Sequence, residues 1–513
     1  MQETDLATSW RVELADEAAT DTLAQSIATW IKAGDLLTLS GDLGAGKTTF
    51  ARTLIRALTG DPELEVPSPT FTLMQIYETA AFPIVHADLY RIKSPDELVG
   101  LGWDEAAEGA LVLVEWPERA STSLKADRLD IAFHIESGSE AQHRVATLTG
   151  TGSFAPRLAQ AKGTTMLLAR AGWSDSERLF MQGDASTRHY ERLVKADGTQ
   201  CILMSSPPRP DGPVVRHGKP YSGVARLAET IKPFIAIDQG LRERGFSAPE
   251  ILAYDLEAGL ALLEDLGPHT FFDMQSVDME RYGEATALLA RLHGMDLPAS
   301  IAISPELSYT IPPYDAEALM IEIELLLDWY APHAAKVMLT SGPKASFINL
   351  WRHTLNEIIV APPTWTLRDY HSPNLIWLPA REGVARVGVI DFQDCVLGHK
   401  AYDVVSLLQD ARMSVPDDVE LKLLGHYARL RREADPNFDM ANFARAYAIL
   451  GAQRATKILG IFARLDKRDR KPQYLAHLPR IQSYLAKSLT HPALADLKAW
   501  YEANLPQAIS RIA

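Results

Sequence analysis

The run Gly41-Asp42-Leu43-Gly44-Ala45-Gly46-Lys47-Thr48 limits what the first part of this chain can fold into. It is glycine, four residues, then glycine-lysine-threonine, the pattern of a phosphate-binding loop. The flanks agree with it. Residues 36–39 read as a short buried strand. Residues 49–58 read as a helix with Phe50, Leu54, Ile55 and Leu58 on one face, and Gly60 stands where a helix C-cap is wanted. A strand feeding a helix through such a loop belongs to an α/β sheet whose ligand site lies beyond the strand ends. The glycines let the backbone turn its N–H groups inward, and the helix N-terminus adds partial positive charge. The candidate nucleotide-binding residues are therefore Gly41, Asp42, Leu43, Gly44, Ala45, Gly46, Lys47, Thr48 and Thr49. Lys47 is placed to reach the terminal phosphates and Thr48 to ligate magnesium.

One such domain does not account for the length. A chain of 513 residues is too long for one ordinary core, so two or three domains are expected. The net charge of -15 argues against bulk nucleic-acid binding by the whole chain. Two cysteines, Cys201 and Cys395, cannot make a zinc site alone and read as buried thiols of a reducing compartment. The first ten residues lack an apolar signal core, and no long apolar run follows. The expectation is a soluble, cytoplasmic protein with no membrane contact.

The first domain is expected over 1–150. Residues 9–12 suit an opening strand and 16–32 a helix. Loop 66–73 carries two prolines that hold it extended, and its Ser68, Thr70 and Thr72 offer hydroxyls to a terminal phosphate or its magnesium. Residues 82–88 read as a strand ending in Asp88. Residues 111–116 are an unbroken apolar run, a strand buried on both faces, with Glu115 at its end. An acid there, beside a phosphate loop, can hold magnesium or its water. The alternation of Leu129, Ile131, Phe133 and Ile135 suggests an outer, half-exposed strand over 128–136, with 144–148 closing the sheet.

These motifs, with His86-Ala87-Asp88-Leu89-Tyr90-Arg91, Glu97-Leu98, Leu101-Gly102 and Glu115-Trp116-Pro117-Glu118, occur in the order found in the bacterial TsaE family. The stretch resembles that family across about 150 residues, a normal domain length. The resemblance implies an ATPase subunit for tRNA threonylcarbamoyladenosine synthesis that acts with a TsaB–TsaD-like pair, and so with tRNA only indirectly. It implies ATP and Mg2+, with Thr48 and Glu115 on the metal, Glu115 catalytic, and Asp88 and Thr70 in neighbouring switch elements.

Residues 151–164 contain glycine, serine and proline without periodicity and suggest a linker. A second domain is then expected over 165–513, with a small lobe over 165–266 and a larger one over 267–513. Gly183-Asp184-Ala185-Ser186-Thr187-Arg188 precedes two strand-like runs joined by Asp197-Gly198, a hairpin signal. Residues 249–254 and 260–263 read as strands, Glu264-Asp265-Leu266-Gly267 as a hinge, and 282–293 as a helix that His293 caps. Further on, Asp369 and Asn374 stand five residues apart, the spacing of a kinase catalytic loop. There the Asp orients the substrate hydroxyl and the Asn holds magnesium. Asp391 ends an apolar strand, where a carboxylate can serve the same metal.

This second region is similar to the aminoglycoside phosphotransferase superfamily of kinase-like enzymes, and within it to the cell-wall amino-sugar kinases that phosphorylate N-acetylmuramate and N-acetylglucosamine at the anomeric hydroxyl. The residues that carry the likeness are 183–188, Leu203 with Pro207-Pro208, 262–267, 369–375, 390–394 and 402–408. The fold implied is a bilobal α+β protein-kinase-like domain following the α/β P-loop NTPase domain. The likeness implies catalysis by Asp369, magnesium on Asn374 and Asp391, and ATP contacts from Ser186, Arg188 and Glu264. Two positions depart from the pattern. Leu367 stands where many relatives have histidine, so the catalytic loop needs other support. The strand Cys201-Ile202-Leu203-Met204 lacks the phosphate-contacting lysine, for which Arg188, Arg192 and Lys195 are candidates. The sequence therefore points to a two-enzyme fusion. An aminoglycoside, choline or homoserine kinase, or a non-catalytic nucleotide-binding module regulating the first domain, stand as alternatives for the second half.

Overall fold

The computed structural model describes residues 7–94, 97–100, 102–135, 143–181, 188–207, 212–272 and 276–510. The chain divides into two compact units, Met1–Ser174 and Asp175–Ala513.

The first unit runs β1 (Thr8–Leu14), α1 (Glu17–Ala28), β2 (Leu36–Gly41), α2 (Lys47–Thr59), β3 (Met74–Tyr77), β4 (Ile84–Asp88), short helices α3 (Glu97–Gly100) and α4 (Trp103–Ala107), β5 (Leu111–Glu115), β6 (Leu129–Ile135), β7 (Arg144–Gly150) and α5 (Phe154–Ala171). The seven strands form one sheet in the order β1-β7-β6-β2-β5-β4-β3. The middle of the sheet is parallel, β6 with β2, β2 with β5 and β5 with β4. Side-chain alternation explains the apolar run of β5. Leu111 and Leu113 join the core under α1, α2 and α5, while Val112 and Val114 join a second core with Val85, Ala87 and Leu98. The register sets Asp88 beside Glu115, and Glu115 beside Leu39, so both acids end at the level of the phosphate loop.

Gly41 is required by close approach, since a Cβ there would stand 2.3 Å from the Phe133 carbonyl oxygen. Gly46, at φ 111, opens α2 in a conformation that side chains resist.

Two expectations for this unit are corrected. Strand β6 is not an outer strand but lies between β2 and β7, and the edges are β1 and β3. Alternation reports one half-covered face and carries no information about lateral neighbours. The expected linker at 151–164 is also wrong. Most of it forms the first half of α5, whose Phe154 and Leu158 pack into the first core. Arg157 anchors the helix on Asp35, with Nη1 donating to Oδ1 at 2.9 Å and Nη2 to Oδ2 at 2.5 Å. Residues 165–171, expected to open the second domain, finish this helix.

The second unit begins with β8 (Glu177–Met181), β9 (His189–Val194) and β10 (Gln200–Ser205), followed by a small ribbon, β11 (Val214–Arg216) and β12 (Lys219–Pro220). Then come α6 (Tyr221–Val224), α7 (Lys232–Glu243), β13 (Ile251–Asp255) and β14 (Leu260–Glu264). Strands β13-β14-β10-β9-β8 form an antiparallel sheet. The β9–β10 hairpin turns at Gly198, φ 84, with Asp197 Oδ1 accepting from Thr199 N at 2.9 Å. The larger lobe continues with α8 (Met279–Leu292), capped by His293. Next are β15 (Ser300–Ser304), β16 (Leu307–Thr310), α9 (Ala316–Leu325), a π-helical stretch over Leu326–Ala334, and α10 (Ser341–Ile359). Short ribbons β17 (Thr364–Thr366) with β20 (Val396–Gly398), and β18 (Leu375–Trp377) with β19 (Val387–Val389), frame the catalytic-loop sequence. Helices α11 (Ala401–Leu408), α12 (Asp417–Ala434) and α13 (Met440–Lys467) follow. One core runs from Met204, Phe234 and Leu263 of the small lobe to Leu288, Trp351 and Leu459 of the large one. This is a P-loop NTPase fold followed by a bilobal kinase-like fold. Both cysteines are buried and unbridged, as expected.

Candidate functional site

In the first unit the phosphate loop leaves β2 and enters α2. Lys47 is 4% exposed, and its Nζ donates to the carbonyls of Gly41 at 2.8 Å and Asp42 at 2.9 Å. It also lies 3.9 Å from the centroid of the Trp116 ring. Burial pulls the Lys47 pKa down, against the opposing charges of Glu115, Glu118, Asp88 and Asp42. Thr48 Oγ1 lies 3.1 and 3.0 Å from the two oxygens of the buried Glu115. The pair expected on magnesium is therefore assembled, hydroxyl against carboxylate, at the strand ends.

The hydroxyls of the proline-held loop converge on the next acid. Ser68 Oγ donates to Asp88 Oδ2 at 2.5 Å and Thr70 Oγ1 donates to the same oxygen at 2.8 Å. Thr72, the third hydroxyl expected there, does not line the cavity between these groups. That cavity, about 320 Å³, is bounded by Leu43, Gly44, Gly46, Lys47, Thr48 and Thr49 on one side and Asp88, Tyr90, Glu115, Trp116 and Arg144 on the other. Sequence reading missed three of its features. His86 Nε2 lies 3.0 Å from Glu115 Oε1 inside the sheet, fixing the acid from behind. Trp116, at φ 60, forms a wall, and Arg144 enters from β7. The position of His86 two residues before Asp88, on a fully buried strand, was a usable signal, since a buried polar ring needs a partner. Nothing local marks Arg144.

In the second unit the catalytic-loop residues meet as the spacing required. Asn374 Nδ2 donates to the Asp369 carbonyl at 2.9 Å and lies 3.4 Å from Asp391 Oδ2. Asp391, at φ 60, is 36% exposed at its side chain and accepts from Gln393 Nε2 at 2.9 Å. Burial raises its pKa, helped by Asp369 and Asp394 and opposed by Arg188. Asp369 is shifted the other way. Burial alone would raise it, but Arg454, His371, Lys457 and Arg368 outweigh that and hold it below the ordinary value. The two carboxylates thus differ: one is kept ionised by the cations around it, the other needs a positive partner.

Of the three candidates for the absent lysine, Arg188 reaches that partner position. Its Nη1 donates to Asp391 Oδ1 at 2.8 Å. Arg192 is committed to Asp265 at 2.7 Å, and Lys195 lies past the end of β9 in the hairpin turn. The Glu264 carboxylate holds Arg381 at 2.7 Å, with Arg242 at 3.8 Å, so that side chain serves to tie β14 in place. Ser186 lies outside the described residues. His293 is no ligand candidate, because its Nδ1 lies 2.9 Å from the Tyr427 hydroxyl in a buried packing contact.

The loop support that Leu367 does not supply comes from Asp403 on α11. Its Oδ2 accepts from Leu367 N at 2.7 Å and its Oδ1 from Arg368 N at 2.9 Å. Asp403 is fully buried, and burial pushes its carboxyl up to about 7 despite those two donors. Ser406 Oγ donates to Arg368 O at 3.1 Å, and Asp410 Oδ2 accepts from Ser372 N at 2.8 Å. The Arg368 guanidinium pairs with the buried Glu322, which also takes Lys457 Nζ at 2.7 Å.

Comparison with known proteins separates the chain in the same way. Residues 14–145 match the family model described as threonylcarbamoyl adenosine biosynthesis protein TsaE, and residues 180–438 match the phosphotransferase enzyme family. An N-acetylmuramate/N-acetylglucosamine kinase of Caulobacter vibrioides is 36% identical over 351 residues, 66% of this chain and 95% of that protein. A tRNA threonylcarbamoyladenosine biosynthesis protein TsaE of Rickettsia felis is 48% identical over 105 residues, 20% of this chain and 61% of that protein. A Rickettsia typhi protein of the same description is 48% identical over 105 residues, covering 72% of its length. Among the described residues no helix is long and apolar enough to cross a membrane.

Proposed function

We propose a two-enzyme chain, since this protein belongs to the TsaE family through its first unit and to the phosphotransferase enzyme family through its second. The second unit phosphorylates N-acetylmuramate and N-acetylglucosamine at the anomeric hydroxyl, a step of cell-wall sugar recycling. The first hydrolyses ATP for tRNA threonylcarbamoyladenosine synthesis, acting with a TsaB–TsaD-like complex in the cytoplasm.

The observation that carries the kinase reading is the convergence of Asp369, Asn374, Asp391 and Arg188 from separate parts of the chain. Asp369, held ionised, orients the acceptor hydroxyl and takes its proton. The acceptor oxygen forms a bond to the γ-phosphorus of ATP as the bond to the β,γ-bridging oxygen breaks, and ADP leaves with that electron pair. Arg188 offsets negative charge on the phosphate side. Asn374 and Asp391 supply the oxygens that would hold magnesium, which offsets charge on the transferring phosphoryl when bound. In the first unit Thr48 and Glu115 would hold the corresponding ion. Lys47 and the loop N–H groups bind the phosphates, and Asp88 with Ser68 and Thr70 forms the switch.

The test uses the full chain with Mg2+ and ATP, each sugar in turn, and NMR of the product to locate the phosphate. Asp369→Asn is expected to lower sugar phosphorylation by about 10²- to 10⁴-fold, the usual contribution of a positioned base. Lys47→Ala is expected to leave it unchanged while abolishing the sugar-independent ATP hydrolysis stimulated by the TsaB–TsaD pair. An Asp369→Asn variant working at the parental rate would falsify the kinase assignment.

A further inference from the structure

We propose that Arg464 on α13, presented together with Tyr221, is the specificity residue that receives an anionic substituent of the acceptor. This rests on the sugar-kinase reading above and assigns the part of the site that distinguishes a carboxylate-bearing amino sugar from a neutral one.

Residues 214–228, between β10 and α7, are built onto the large lobe beside the catalytic loop. Arg216 Nη2 pairs with Glu324 and Arg226 Nη2 with Asp315, each at 2.6 Å. Arg368 Nη1, one residue from Asp369, donates to Ala225 O at 2.9 Å. Ala228 N donates to Asp394 Oδ1 at 2.6 Å, three residues from Asp391. Val224 and Ala225 pack on Ile321 of α9. The segment is therefore a fixed wall of the phosphotransfer site, and Tyr221, at the start of α6, stands in it partly exposed. Burial raises the pKa of Tyr221, with the charge of Glu322 acting in the same direction and those of Arg464, Lys457 and Arg368 against it.

Helix α13 brings the cation. Lys457 sits under the loop on Glu322. Seven residues on, two helical turns and about 10 Å along the same face, stands Arg464. Its guanidinium lies 4.8 Å from the centroid of the Tyr221 ring. Four cations around it have carboxylates: Arg216 has Glu324, Arg226 has Asp315, and Arg368 and Lys457 share Glu322. Arg464 has no ion pair among the described residues, and its buried Nε finds no hydrogen-bond acceptor. Asp466, the acid nearest in sequence, faces Lys467 Nζ at 3.5 Å, and Asp469 is held by Arg468 through two bonds of 2.7 and 3.0 Å. A half-buried guanidinium without an anion is unfavourable in the free protein and favours an anionic ligand. A guanidinium stacked on an aromatic face is pre-oriented for the two parallel hydrogen bonds a carboxylate offers. N-acetylmuramate carries such a carboxylate on its lactyl ether, two ring carbons from the phosphorylated anomeric hydroxyl, and N-acetylglucosamine does not.

The experiment measures kcat and KM of the full chain for both sugars at saturating Mg2+ and ATP, in the parent, Arg464→Met and Arg464→Lys. Arg464→Met is expected to raise KM for N-acetylmuramate at least tenfold while leaving both constants for N-acetylglucosamine within twofold. Arg464→Lys, which keeps the charge but not the fork, is expected to raise KM for N-acetylmuramate alone, by a smaller factor. The glucosamine constants report that the fold is intact. Unchanged muramate KM in the variants, or equal losses for both sugars in both variants, overturns the assignment of Arg464 and leaves the kinase reading standing. A parent that phosphorylates neither sugar overturns both.

Discussion

Asp403→Asn tests whether α11 holds the catalytic loop. In the parent both carboxylate oxygens are used, one by Leu367 N and one by Arg368 N, at 2.7 and 2.9 Å, with no access to water. Asparagine keeps the volume and one acceptor, but turns an N–H group toward the second donor. One buried backbone donor then loses its partner, a loss of about 1–3 kcal/mol. Because that donor lies within two residues of Asp369, the loop relaxes away from it, and a displacement of about 1 Å at an orienting group lowers turnover on the order of 10²-fold. The expected result is a second-unit thermal transition lower by a few degrees and a fall in kcat for sugar phosphorylation. ATP hydrolysis by the first unit stays at its parental value, since the two units have separate cores. Scanning calorimetry of the full chain and steady-state kinetics read both effects. An Asp403→Asn variant with the parental transition and parental kcat would refute the support role, and the loop would then owe its position to Ser406 and Asp410.

Asp391→Asn removes charge from the metal side and should raise the Mg2+ concentration needed for half-maximal kinase activity by about tenfold or more, given that even outer-shell losses cost 10–100-fold in metal affinity. Excess Mg2+ should restore this variant in part and Asp369→Asn not at all, and equal rescue of both would show the roles to be wrongly divided. Asp238, wholly buried on α7 with neither oxygen bonded, is pushed by burial up to about 8. The folded state keeps that proton while the unfolded chain releases it at about pH 4, so the group lowers stability as pH rises between those values. From pH 5 to pH 8 the loss is on the order of 4 kcal/mol, and Asp403 adds in the same sense up to about pH 7. Asp238→Leu should flatten this dependence in urea unfolding at the two pH values, and parallel curves for parent and variant would show that Asp238 is ionised or solvated in the fold.

What the sequence determined by itself was whatever chemistry is written at short, fixed spacing. The phosphate loop, the acid-ended strands of the first unit, the Asp197-Gly198 hairpin and the Asp369–Asn374 pair are local patterns, because backbone geometry alone fixes how residues a few positions apart can stand. The alternation in β6 reports one half-covered face, yet its place inside the sheet depends on β2 and β7, which that strand's own residues do not encode. The apparent linker at 151–164 has no clear periodicity, and it becomes helical through Phe154, Leu158 and Arg157, whose partners lie in other elements. Strand β8 escaped notice for the same reason, being mostly exposed along its length. Only the tertiary structure decided which residues complete the sites. Asp403 supports Leu367 across 36 positions, and Arg188 reaches Asp391 across 203. Glu115 gains His86 only because β4 and β5 are neighbours. Each of these is a buried charge or polar group whose partner is chosen by chain packing, since desolvation makes the pairing necessary while leaving its sequence separation free.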